Sequence, residues 1–86
     1  MKVNKTEILN NICYTELVYG RINKKLRVDY SKSEIEKLIF NAISETAEKF
    51  IQKIGKNYYI TNTYKNIRIT INTYTHRVIT VDRITK

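Results

Sequence analysis

His76 is the only histidine in the chain and the one side chain whose ordinary pKa lies close to neutrality. Cleavage of RNA through its 2′-hydroxyl needs a base for that hydroxyl and cations for the crowded phosphate. His76 with Arg68, Arg77 and Arg83 would supply both if the four shared a face. His76 falls in a predicted turn, however, where solvent exposure is the default reading, and no acid stands out to complement it. Binding is therefore expected ahead of catalysis; a catalytic version would be a metal-independent ribonuclease with His76 as its base.

A larger set of residues suits binding. Lys49, Lys53, Lys56, Lys65, Arg68, Arg77 and Arg83 interleave with Tyr58, Tyr59, Tyr64 and Tyr74. Bases stack on tyrosine rings beside Lys and Arg in single-strand binding platforms. The competing reading is that tyrosine packs well in strands, which would put about half of these rings in the core. Arg68, Thr70 and Asn72 alternate with Ile67, Ile69 and Ile71, so one strand should carry an apolar face and a polar, cationic face. That polar face, with Tyr59 and Tyr74, is the expected binding surface.

Other chemistries lack their residues. There is no Gly-rich phosphate loop, no metal-ligand cluster, no Ser-His-Asp set and no carboxylate pair in the basic half, so no cofactor or metal is expected. The single cysteine, Cys13, excludes an intramolecular disulfide and a Cys-based zinc site, and its apolar setting suggests a buried thiol. Glu34, Glu36, Glu45 and Glu48 read as a solvated acidic helical side, on which an acidic-gene partner of antitoxin type or an assembly partner could dock.

The chain has 86 residues, enough for one domain with one modest core, and a net charge of +8. Residues 1–30 contribute +3, residues 31–47 contribute −1 and residues 48–86 contribute +6. The positive field is thus densest over the predicted sheet, where it suits nucleic acid or an acidic protein surface. Biased codon usage favouring Lys, Asn, Ile and Tyr would produce part of the same composition. No apolar run approaches membrane-spanning length and the first residues lack a signal core, so a soluble cytoplasmic protein is expected.

The elements that must position these groups follow from caps and periodicity. Asn4 with Glu7 has capping-box spacing and opens a short helix through Ile8, Leu9 and Ile12. Thr15 opens a second over roughly 16–25, with Leu17, Ile22 and Leu26 on one side and Arg21, Lys24 and Lys25 near its C-terminus, where cations suit the helix dipole. Ser31 with Glu34 forms a capping box for a third, with Ser33 as an alternative cap, and its stripe is Ile35, Leu38, Ile39, Ala42 and Ile43. Residues 46–54 read either as the end of that helix or as a strand over Lys49–Ile54 turning at Gly55-Lys56; the strand is favoured because Gly55 separates two runs of near-equal length. Strands at 57–61, 67–72 and 77–84 complete a meander, with turns at Tyr64–Asn66 and Thr73–His76. In the last strand Arg77, Ile79, Val81 and Arg83 share parity, which implies an edge strand or a bulge. The expected fold is α+β: two or three N-terminal helices on one face of a three- to four-stranded antiparallel meander.

Thr15-Glu16-Leu17, Arg21-Ile22, Gly55-Lys56-Asn57-Tyr58-Tyr59, Ile69-Thr70-Ile71-Asn72-Thr73-Tyr74 and Val78-Ile79-Thr80 resemble a small bacterial family, the domain of unknown function 3781. The resemblance covers most of residues 13–83 and implies boundaries, not an activity. The order of helices and sheet, with Val78-Ile79-Thr80-Val81 in the last strand, is also similar to RelE/ParE-like toxins, many of which cut RNA on the open sheet face. That likeness implies histidines where this chain has Cys13 and Asp82, so it points away from an active nuclease. Two functions are carried forward: a basic nucleic-acid-binding module (RNA or DNA) of toxin-like type, and a protein-binding inhibitor from a mobile element that blocks a nuclease.

Overall fold

The computed structural model describes residues 3–84. Three helices, α1 (Lys5–Asn11), α2 (Glu16–Leu26) and α3 (Lys32–Glu45), precede four strands, β1 (Ile51–Ile54), β2 (Asn57–Asn62), β3 (Ile67–Asn72) and β4 (Val78–Arg83). The strands form one antiparallel sheet in the order β1-β2-β3-β4. The arrangement is the α+β fold expected, with the helices N-terminal.

The caps act as their spacing predicts. Asn4 accepts a hydrogen bond from the Glu7 backbone N–H, and Ser31 and Glu34 form a reciprocal capping box. Thr15 starts α2 without a side-chain cap bond. The ambiguous stretch divides: α3 ends at Glu45, a single 3₁₀ turn occupies Glu48–Phe50, and the strand starts only at Ile51. The favoured strand is real but two residues shorter than expected. Gly55 turns the β1–β2 hairpin at φ +60°, a left-handed conformation that costs glycine little. Asn66 takes φ 62° in the β2–β3 turn, as its side chain allows.

No glycine ends α3; its carbonyls are satisfied from other parts of the chain. Ala42 O accepts from Thr46 Oγ1 at 2.6 Å and from Asn62 Nδ2 at 2.9 Å. Lys5 Nζ donates to Ser44 O and Thr46 O at 2.9 and 3.0 Å, placing a cation at the negative end of the helix dipole.

The core lies between the helices and one sheet face. Ile8, Val18, Ile22, Ile35, Ile39, Ile43, Ile60, Ile69, Ile71 and Val81 are buried in it. Ile67, Ile69 and Ile71 face the helices and Arg68 faces away, as the alternation requires. Leu38 is only half-buried at the edge of the α3 stripe. On α2 the buried row is Val18, Ile22 and Leu26, at i, i+4 and i+8. Leu17 is one step, about 100°, away from that row, so the expectation that it faces inward is corrected: it is 80% exposed.

Both irregularities expected of the last strand occur. β4 is an edge strand, and its register shifts: Thr70 pairs with Thr80 but Ile71 with Val78, leaving Ile79 as the extra residue. The α2 helix packs along β4, and Arg21 Nη1 donates to Ile79 O at 3.3 Å. The helix thus covers an edge that would otherwise offer unpaired backbone groups to another chain. Among the described residues no helix is long and apolar enough to cross a membrane.

Candidate nucleic-acid interface

The sheet face away from the helices is polar but carries little charge. In register its rows are Tyr59, Thr70 and Thr80 and then Thr61, Arg68 and Asp82. Arg68 therefore stands beside a carboxylate on the neighbouring strand, which offsets its positive field. Thr70 is only 7% exposed, between its row neighbours. Asn72 faces this side too, but its Oδ1 accepts from Tyr74 N, Thr75 N and Thr75 Oγ1, so it organises the β3–β4 turn. Tyr59 takes a hydrogen bond on its hydroxyl from Asn57 Nδ2.

The remaining candidates scatter around the sheet's rim. Lys49 lies over the Phe50 ring, 5.4 Å from its centroid. Lys53 is exposed on β1, in register with Tyr58 of the helix-facing row. Lys56 sits in the β1–β2 turn, where its carbonyl accepts from Thr73 N. Lys65 is 3.6 Å from the Glu45 carboxylate. Arg83 donates through Nη2 to Leu26 O at 2.8 Å and lies on the helix side of the sheet. The tyrosines do not assemble into one platform. Tyr58 packs against the core, while Tyr64 (92% exposed) and Tyr74 (77% exposed) occupy turns at opposite ends of the sheet.

His76 departs from the exposed-turn expectation. It is half-buried at φ 60°, its ring centroid is 6.4 Å from that of Tyr58, and its Nε2 is enclosed with no hydrogen-bond partner among the described residues. Its backbone explains the position: His76 N donates to Asn72 O, and His76 O accepts from Cys13 N at 3.0 Å. Val78 N then donates to Cys13 O, so the segment before α2 runs as a short parallel bridge beside the turn. Cys13 is correspondingly half-buried rather than buried, with its Sγ 3.4 Å from Thr75 O. Arg77 is at this end of the sheet, but Arg83 is at the other and Arg68 is four residues from Asn72, roughly 13 Å along β3. The base and cations expected of a ribonuclease are not brought together.

The cations that do converge belong largely to α2. Arg21, Lys24, Lys25 and Arg27 line a shallow cleft of about 710 Å³ whose other wall is Ile79 and Thr80 of β4. Arg77 extends it, sharing a second hollow with Arg21 and Leu17. Lys25 is paired with Asp82 at 2.8 Å and Arg21 holds the bulged Ile79 carbonyl. Lys24, Arg27 and Arg77 have side chains with no ion pair or hydrogen bond among the described residues. The negative end of the α2 dipole, worth about half a charge, opposes anion binding here, but Leu26 O is already taken by Arg83. Five cations against one carboxylate leave the cleft strongly positive. The sequence signal was present: residues 17, 21, 24 and 25 share one helical face, yet the cations read there as dipole complements.

The other notable polar cluster is structural. Tyr19 stacks on Tyr14 at 5.5 Å between centroids and donates to Glu36 Oε2 at 2.6 Å. Burial, then the hydrogen bond to Glu36, pushes the Tyr19 phenol up to about 12. Burial raises Tyr14 further still. Lys32 lies over the Tyr19 ring and pairs with Glu16, so the group ties α2 to α3. Glu34, Glu45 and Glu48 are likewise engaged, in the capping box, with Asn62 and with Lys5 N.

Compared with known proteins, residues 6–82 match the family model described as "Protein of unknown function (DUF3781)", and the chain belongs to that family. No curated protein matches the chain, and no solved structure matches it.

Proposed function

For this member of the DUF3781 family, we propose that the chain binds nucleic acid through its phosphate backbone, along the cleft between α2 and β4. The observation that carries this reading is the convergence of Arg21, Lys24, Lys25, Arg27 and Arg77 on two adjoining hollows that share Arg21 and Ile79, where Lys25 alone of the five is ion-paired, with Asp82, among the described residues. Guanidinium and ammonium groups with free donors suit phosphate oxygens, and an extended groove suits a chain of them. The open sheet face contributes little, because its cation sits next to Asp82. Binding of this kind is electrostatic and tolerant of sequence.

The test is fluorescence anisotropy with short single-stranded RNA, single-stranded DNA and duplex DNA at about 50 and 200 mM salt. Four or five phosphate contacts should cost about two decades of affinity for single strands and between two and three for duplex DNA over that range. Absence of binding to every nucleic acid at the lower salt would refute the proposal.

A protein-binding inhibitor that grips an acidic nuclease surface has one observation of its own. Leu17 projects into solvent in the hollow shared with Arg21 and Arg77. An apolar knob ringed by cations suits a protein interface better than a phosphate chain. Leu17→Ala would then abolish partner binding, whereas it should leave nucleic-acid affinity almost unchanged.

A further inference from the structure

Beyond the Lys25–Asp82 pair, toward the end of α2, the structure holds a second concavity of about 320 Å³. Its lining is apolar through Leu26, Val28, Leu38 and Ile67, carries Tyr30 and Asn66, and includes the cations Lys65 and Arg83. The volume is near the lower end for small-molecule sites, about 300 Å³, a one-ring dimension rather than an oligomer's.

We propose that this pocket seats a single nucleobase of the bound strand, stacked on Tyr30, with the attached phosphate at Arg83 and Lys65. The inference rests on the nucleic-acid reading above and adds a base-sized endpoint to its phosphate track. Tyr30 is presented for this role by its backbone. Asn23 Nδ2 donates to Tyr30 O at 3.0 Å, and Tyr30 N donates to Asn23 Oδ1 at 3.1 Å. The loop is thereby clamped without using the ring, and Tyr30 as a residue is 41% exposed. Arg83 is fixed at the rim by its bond to Leu26 O, leaving further guanidinium donors for an incoming oxyanion. Asn66, held at φ 62° with its carbonyl bound by Ile84 N, keeps a side-chain amide with no hydrogen bond among the described residues. That amide offers both a donor and an acceptor to a base edge. Among the described residues no carboxylate lines the pocket. Glu45 approaches Lys65 only at 3.6 Å.

Calorimetric titration with the four nucleoside 5′-monophosphates, run beside the RNA anisotropy assay, tests the assignment. The wild type should bind at least one monophosphate more tightly than inorganic phosphate. Tyr30→Ala should weaken that binding by about 5- to 150-fold, the usual range for loss of one stacked base. Because the Asn23 clamp is made to backbone atoms, this variant should keep its fold, checked by circular dichroism. Arg83→Gln should weaken monophosphate binding but not that of the free nucleoside, and Phe40→Ala on exposed α3 surface should change neither. Oligonucleotide binding without any monophosphate binding, or an unaffected Tyr30→Ala, would overturn the pocket while leaving the phosphate track intact. Monophosphate binding without oligonucleotide binding would instead overturn the track.

Discussion

Asn62 on β2 reaches across to Ala42 on α3, its Nδ2 2.9 Å from the Ala42 carbonyl. The same amide donates to Glu45 Oε2, and its Oδ1 accepts from Lys65 N at 2.8 Å. One buried side chain therefore ends α3, starts the β2–β3 turn and joins helix to sheet. Asn62→Ala leaves the Lys65 N–H without its acceptor and the Ala42 carbonyl with only the Thr46 hydroxyl of its two side-chain donors, and should cost about 1–3 kcal/mol. Urea denaturation is the measurement, with Thr61→Ala as a neighbour expected to stay within about 0.5 kcal/mol. Equal losses at both positions would argue against the tether.

Packing distinguishes the two faces of α3. Ile39 is fully enclosed in the core, so Ile39→Ala should cost about 2–5 kcal/mol. Leu38, half-buried beside the second pocket, should cost less, and exposed Lys37→Ala almost nothing. A larger loss at Leu38 than at Ile39 would mean the helix is rotated from the orientation described.

The capping box at Ser31 makes a local prediction. Removing its hydroxyl in Ser31→Ala should destabilise the fold by about 0.5–2 kcal/mol. Ser31→Asp should recover most of that loss, because a carboxylate accepts the same Glu34 N–H and favours the helix N-terminus. Failure of the rescue would point to a role for Ser31 other than capping.

Alkaline pH should weaken the protein through Tyr19 and Tyr14. Both phenols hold their protons more tightly when folded than the ordinary value of 10.0, with Tyr19 near 12. A folded pKa raised above the unfolded one contributes stability that is complete below about pH 10 and is lost as pH rises through the folded value. Denaturation midpoints should be flat up to about pH 10 and fall toward 12. Tyr19→Phe should start lower at neutral pH, for want of the Glu36 bond, and decline less steeply. A wild-type midpoint that does not change between pH 9 and 12 would contradict the cluster.

The proposed phosphate track along α2 and the sheet face make opposite predictions for charge. Lys24→Glu with Arg27→Glu should reduce nucleic-acid affinity more than tenfold and flatten its salt dependence, since each lost phosphate contact removes part of the slope. Arg68→Ala should have little effect because Asp82 lies beside it. His76→Ala should leave affinity unaltered. A larger loss at Arg68 than at the α2 pair would return the interface to the sheet.

Local chemistry was legible in the chain itself. Caps at Asn4 and Ser31, turns at Gly55 and Asn66, and the Ile67-Ile69-Ile71 alternation all depend on spacing within a few residues, and each formed where expected. Even the mixed parity of residues 77–83 announced the bulge at Ile79. What lay beyond the sequence was which charges meet. Asp82 stands opposite Arg68 only through strand register and pairs with Lys25 only because α2 lies along β4, Arg83 turns to the Leu26 carbonyl only because α2 ends beside β4, and the cations of residues 49–83 follow one another along the chain but scatter around the rim of the sheet. The α2 cations, unremarkable along the chain, became the positive cleft because α2 lies along an edge strand. Electrostatic fields sum over distance in space, and distance in sequence says little about it once the chain has folded.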